Sequence, residues 1–216
     1  MKWFSIFSIS VLAFLGQGCT PNEAQNGATT GWFKKSNEAR SQVEKRKREH
    51  YDPSTGLYAN YYAGFSMKFP YRWTFDKGNS EHTIARWIQE DSAFSFSIGM
   101  NELSVKDNKE SIWKAFDKEK NDKTFLKGLE DQLQSKVFQY KAEKIWFANH
   151  PAIQRSFVYE VRHYDEVYDM KAMMIQIGKE NKIFTLGLHL PLYYYNSNPD
   201  RFERIMDGFY FGVQNQ

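Results

Sequence analysis

The chain offers little concentrated chemistry. Its histidines are His50, His82, His150, His163 and His189. No two stand four apart, so no helix can present a paired-histidine zinc site. The densest polar cluster is His163, Asp165, Glu166 and Asp169. Such a group can ligate a metal or move protons. The same residues suit a water-facing hairpin tip, and that reading is preferred, because hairpin tips concentrate polar side chains. No G-x-S-x-G elbow and no phosphate-binding P-loop occur. Glycoside hydrolysis needs only two carboxylates, and no pattern among the 26 acidic residues singles out a pair. Tyr193, Tyr194 and Tyr195 follow Pro191 in an apparent loop. They form a possible binding surface, a stacking platform for a sugar or a protein partner. The competing reading has their rings closing a sheet edge or capping the last helix. Met170, Met173 and Met174 read as core strand. The expectation is a protein that is not an enzyme and needs no metal or cofactor.

Composition sets the frame for these residues. The 216 residues are 41% hydrophobic and 17% aromatic, enough for a real core. Mean hydropathy is −0.68 and there is one short apolar stretch, which excludes a polytopic membrane protein. The one cysteine excludes a disulfide framework and a cysteine-rich zinc site.

That stretch and that cysteine stand together. After Lys2, residues Phe4 to Leu15 are apolar apart from three serines, too short a run for a permanent span. It ends Leu15-Gly16-Gln17-Gly18-Cys19. This resembles the bacterial lipobox, although Gly16 stands where that pattern prefers Leu. The resemblance implies a signal peptide over residues 1–18 and acyl chains on Cys19. Each buried methylene contributes about 0.8 kcal/mol, so several acyl chains hold a protein at the membrane. The predicted address is the bacterial cell envelope. Thr20 replaces the Asp that would retain the chain at the inner membrane, which points to the outer membrane in a Gram-negative host.

Residues 19–31 are small and polar, a flexible tether. Residues 32–50 hold seven Lys or Arg against three Glu. This basic juxtamembrane segment, whose residues are compatible with a helix, can approach anionic lipid through its charges, with Trp32 and Phe33 at the interface. Its apolar face is thin, so a solvated linker helix is the preferred reading. The basic character is local, which argues against nucleic acid as a partner.

Residues 51–216 read as a single globular domain. Phe65, Met67 and Phe69 alternate with polar residues, as do Phe94, Phe96, Ile98 and Met100. Thr83–Gln89 is another apolar run. The period then changes: Asn108 can cap a helix bearing Ile112, Trp113 and Phe116, and Asp122 a second bearing Phe125, Leu126, Leu129 and Leu133. Strands resume at Val137–Phe147 and continue around Phe157–Val161, Val167–Ile177 and Phe184–Leu190. Short polar connections make the last three an antiparallel meander. Asn198-Pro199 predicts a helix start, Gly208 its end, and Phe209-Tyr210-Phe211 a last strand. The fold class is α+β, an antiparallel β-sheet with helices packed on its faces.

This order carries a resemblance. Gly64-Phe65-Ser66-Met67-Lys68-Phe69-Pro70-Tyr71-Arg72-Trp73 is similar to the opening hairpin of the PsbP/Mog1-like family. Asn149-His150-Pro151-Ala152 resembles a family turn that usually has Gly where Asn149 stands. Gly178-Lys179, before Lys182 to Leu186, resembles the hairpin ahead of the penultimate strand, and Phe202 to Phe211 the terminal helix and strand. The resemblance covers roughly residues 56–212. It implies an α/β/α sandwich and a role as an accessory, assembly or protein-interaction module, with cyanobacterial members anchored as lipoproteins. The expected partners are the membrane, through the anchor, and another protein. The alternative is a periplasmic or surface binder of a small ligand or glycan, with or without hydrolytic activity. A deep pocket at the tyrosines would favour that alternative; a filled core with exposed aromatic residues would favour the interaction module.

Overall fold

The computed structural model describes residues 48–69, 73–76, 83–89, 94–102, 112–118, 123–163 and 166–212. The signal segment, Cys19, the tether and the basic segment as far as Lys47 lie outside the described residues. So do Pro70 to Arg72, His82, Asp165 and the two cap residues Asn108 and Asp122.

The strands in chain order are β1 (Glu49–Asp52), β2 (Leu57–Asn60), β3 (Phe65–Lys68), β4 (Thr74–Asp76), β5 (Thr83–Gln89), β6 (Phe94–Glu102), β7 (Val137–Phe147), β8 (His150–His163), β9 (Glu166–Lys179), β10 (Lys182–Pro191) and β11 (Phe209–Phe211). The helices are α1 (Ile112–Lys118), α2 (Lys123–Leu133), α3 (Leu192–Ser197) and α4 (Arg201–Met206). All strand pairs are antiparallel. The architecture is α+β, as the periodicity predicts. The described residues form two compact units, one of residues 73–204 and one of residues 48–69 with 205–212.

The smaller unit is a four-stranded sheet in the order β1-β2-β3-β11. Its first strand starts at Glu49, so Glu49 and His50, read above as the end of the basic segment, are strand residues. Tyr58, Phe65, Met67 and Phe209 are its buried side chains, and the Phe65 and Phe209 rings stack at 5.4 Å. A Cβ on Gly208 would come within 2.2 Å of the Lys68 carbonyl oxygen. Gly208 follows the end of α4, as read, its amide donating to the Ile205 carbonyl at 3.1 Å, and glycine is also required there for close approach to β3.

The larger unit is a seven-stranded sheet in the order β4-β5-β6-β10-β9-β8-β7. Directly paired residues share a face, and the two faces differ. On one lie Phe157 and Tyr159 of β8 with Ala172 and Met170 of β9, packed with Leu129 and Leu133 of α2. Helix α1 covers the same face: the Trp113 indole donates to the Ala152 carbonyl at 2.8 Å. Gly178 leaves room for it, since a Cβ there would sit 3.3 Å from the Ile112 Cβ. The opposite face carries Phe96, Ile98, Leu186, Leu188, Ile175 and Ile177, all buried, and α3 lies on this side. Helices on both faces give the expected α/β/α layering. Met170, Met173 and Met174 are buried strand residues, as read.

Three connections show local chemistry at work. Ala148 and Asn149, with φ of 47° and 63°, form a two-residue loop between the paired residues Phe147 and His150. Such a turn needs two left-handed residues, and Asn tolerates that state better than most. Helix α2 ends with Gln134 at φ 50° and the Ser135 amide donating to the Glu130 carbonyl, a Schellman-type stop without glycine. Helix α4 begins at Arg201, two residues after Pro199, so the predicted start at Asn198-Pro199 is early. Asn198 instead closes α3, its amide donating to the carbonyls of Tyr194 and Tyr195.

Candidate functional site

The tyrosine segment is helical. Helix α3 carries Tyr193, Tyr194 and Tyr195, which corrects the loop reading. Successive residues on a helix project about 100° apart, so three in a row cannot share one platform. Tyr193 is 72% exposed. Tyr194 turns inward, its ring centroid 4.3 Å from that of Phe94. Arg201 lies over the rings of Tyr194, Phe94 and Trp73 at 4.9, 5.0 and 5.6 Å, and donates to the Tyr194 hydroxyl. Its second terminal nitrogen donates to Gln89 Oε1 at 2.9 Å. An aromatic box already filled by the chain's own guanidinium is a clamp. Tyr195 faces the sheet, with the Lys171 Nζ 5.4 Å from its ring centroid.

Lys171 was not singled out by sequence, although it interrupts an apolar run. It is 8% exposed, yet among the described residues its ammonium finds only the Ser156 hydroxyl at 3.4 Å besides that ring. Burial and the charge of Lys141 hold its pKa below the usual lysine value.

On the opposite face, buried Arg155 has a richer setting. Its guanidinium lies 4.3 Å from the Phe125 ring centroid of α2 and 5.4 Å from that of Phe116 of α1. Its Nε donates to the Tyr140 hydroxyl at 3.1 Å, and Nη1 donates to Gln176 Oε1. Arg155 thus fastens both helices to the sheet. On the same face, His189 Nδ1 lies 2.9 Å from the Tyr159 hydroxyl. Burial pushes its pKa down to about 4. The adjoining cavity, lined by Ser97, Phe157, Ala172, Thr185, Gly187 and His189, has a volume of about 10 Å³. That is room for one water, not a substrate. None of the three tyrosines lines it.

The remaining candidates separate. His163 and Glu166 pair at the end of the β8–β9 ladder, Asp169 pairs with Glu160 within it, and Asp165 lies outside the described residues. Among the described residues no three His, Cys, Asp or Glu are grouped to hold a metal. His50 lies on β1 and His150 at the start of β8. At the far edge of the larger sheet, Trp146 of β7 is 69% exposed and meets Trp113 edge-on, centroids 5.1 Å apart. Alternation hides this pair, because their rings meet through α1 and β7, thirty-three positions apart in the chain.

No protein-family model matches the chain, and no curated protein matches it. Its structure is similar to the solution structure of cyanobacterial PsbP (CyanoP) from Synechocystis, at a TM-score of 0.50 and 15% identity, over 73% of this chain and 93% of that one. The fold is PsbP/Mog1-like. It is also similar, at a TM-score of 0.43 and 11% identity, to the Ran-binding protein Mog1p of Saccharomyces cerevisiae, over 72% of this chain and 94% of that one. A further likeness, at a TM-score of 0.41 and 8% identity, is to LpqN of Mycobacterium tuberculosis, a protein involved in cell envelope biogenesis, over 69% of this chain and 83% of that one. At these identities the likeness speaks for the PsbP/Mog1-like fold alone. The motifs that suggested it fall where the fold needs them: Gly64, with φ 74°, opens β3, and Asn149 makes the β7–β8 turn.

Proposed function

We propose that this chain is a lipid-anchored cell-envelope protein whose α+β domain acts as a protein-interaction or accessory module. The observation that carries the reading is the exposure of Trp146 and Tyr193, large aromatic side chains set on rigid elements and left outside the core. Tryptophan and tyrosine are the residue types that most often dominate binding energy at protein interfaces. The address rests on the apolar leader and the lipobox-like Cys19. Among the described residues no helix is long and apolar enough to cross a membrane. Acyl chains on Cys19 would hold the protein at the membrane.

The test is crosslinking in intact cells that express the tagged protein, with Cys19→Ala as the control. One abundant partner, lost with the anchor, is the expected result. Trp146→Ala or Tyr193→Ala should weaken its capture at least about tenfold without lowering thermal stability. No partner above background overturns the reading and moves attention to glycans and small molecules.

A further inference from the structure

A buried ammonium has three N–H donors and loses their hydration when it leaves water. Such groups are paired or bound to something. Lys171 sits in the middle of β9, opposite Val158 of β8 and Leu190 of β10. Among the described residues its polar contacts are the Ser156 hydroxyl at 3.4 Å and the face of Tyr195. No carboxylate of the described residues pairs with it. The neighbouring charge is another cation, Lys141, which stands on β7 directly opposite Ser156. Lys141 is exposed. The stem of Lys171 is covered, while the contact of its head with Ser156 is only part-buried, so an incoming group can reach it.

Two lysines, a serine hydroxyl and a tyrosine therefore converge on one face of the β7–β8–β9 ladder with unspent positive charge. We infer that Lys171, Lys141, Ser156 and Tyr195 form a binding site for a phosphate group. Phosphate is favoured over carboxylate by the donor geometry. A planar carboxylate is best met by the flat fork of one arginine. A phosphate accepts from several directions, and separated lysines serve it as point charges. A serine hydroxyl can add a donor. Phosphate bound here would offset the repulsion between the two lysines and accept from the Lys171 ammonium. The site does not depend on the protein-partner reading, since neither Trp146 nor Tyr193 is among its four residues.

The experiment uses the full chain in detergent, titrated with inorganic phosphate and followed by calorimetry and thermal unfolding. Saturable binding is expected, with a rise in Tm of about 3 °C near saturation. Lys171→Met should weaken binding at least about tenfold, and Lys141→Met by about threefold. Because Lys171→Met removes an under-bonded buried charge and keeps the volume, its Tm without phosphate should equal or exceed that of the parent. That separates lost binding from lost folding. A second titration with short-chain phosphatidic acid distinguishes the source: tighter binding than inorganic phosphate assigns the site to a lipid headgroup, and equal binding to a free phosphate compound. Absence of saturable phosphate binding overturns the proposal. So does a Lys171→Met protein that binds phosphate as well as the parent.

Discussion

Two cations, Arg155 and Lys171, are buried in the same sheet and face opposite ways. Arg155, beneath α1 and α2, has aromatic rings on two helices and hydrogen-bond acceptors on Tyr140 and Gln176. Lys171, beneath α3, has among the described residues one long contact to a hydroxyl and one ring. The contrast separates a charge used to build the fold from one left with binding capacity. Guanidinium stacks on rings and spends its donors in a fixed fork, so it can be fully absorbed by protein. An ammonium with few protein partners and a second cation nearby keeps charge that a ligand can use.

The largest expected effect is on the Arg155 side. Arg155→Met should cost about 3–4 kcal/mol, because it removes the buried donors to Tyr140 and Gln176 and the guanidinium that holds both helices. Urea unfolding would show it as a lower midpoint. Arg155→Lys should recover little, since an ammonium reproduces neither the stacking nor the fork. Full recovery would break the contrast between the two cations.

Acid should strike the same helix-covered face. His189 is neutral in the folded chain, with a pKa pushed down to about 4 by burial, while the unfolded chain takes up that proton near its ordinary value of 6.5. The stability it supports is complete above about pH 6.5 and is lost as pH falls toward 4, by about 3 kcal/mol. Chemical denaturation across that range checks the sign, and His189→Gln should flatten it.

A smaller change would report on helix docking alone. Gly178→Ala puts a Cβ 3.3 Å from the Ile112 Cβ, so α1 must shift or strain. The expected loss is about 1 kcal/mol, with faster amide exchange in α1 than in α3. Equal effects on both helices would mean that the two faces are not independent.

The smallest effect closes the comparison. Lys171→Met should leave stability unchanged within about 0.5 kcal/mol or raise it, the opposite of Arg155→Met. A loss of several kcal/mol in the absence of ligand would show that Lys171, too, is structural.

Much of the fold was legible because its strands alternate cleanly. Phe94 to Met100 and Phe157 to Val161 announce a period of two, and Leu129 and Leu133 fall at helical spacing. The αL turn at Asn149 and the α+β order were readable for the same reason: they depend on local backbone preferences. The helix start near Pro199, the close-approach role of Gly208 and the glycine-free end of α2 were not. Each depends on a neighbour distant in the chain or on a carbonyl that only the folded backbone brings into range.

The sites divide along the same line. By itself, the sequence determined the class of fold, the strand and helix periods and the absence of a recognisable catalytic motif. It placed three tyrosines together but left their directions open. Tertiary structure decided that Tyr193 faces water, that Tyr194 is spent on Arg201, and that Tyr195 lies over Lys171. It also decided which buried cation is saturated. Periodicity is set by bonds between near neighbours, whereas saturation of a charge depends on groups that β8, β9 and three helices bring together only when the chain has folded.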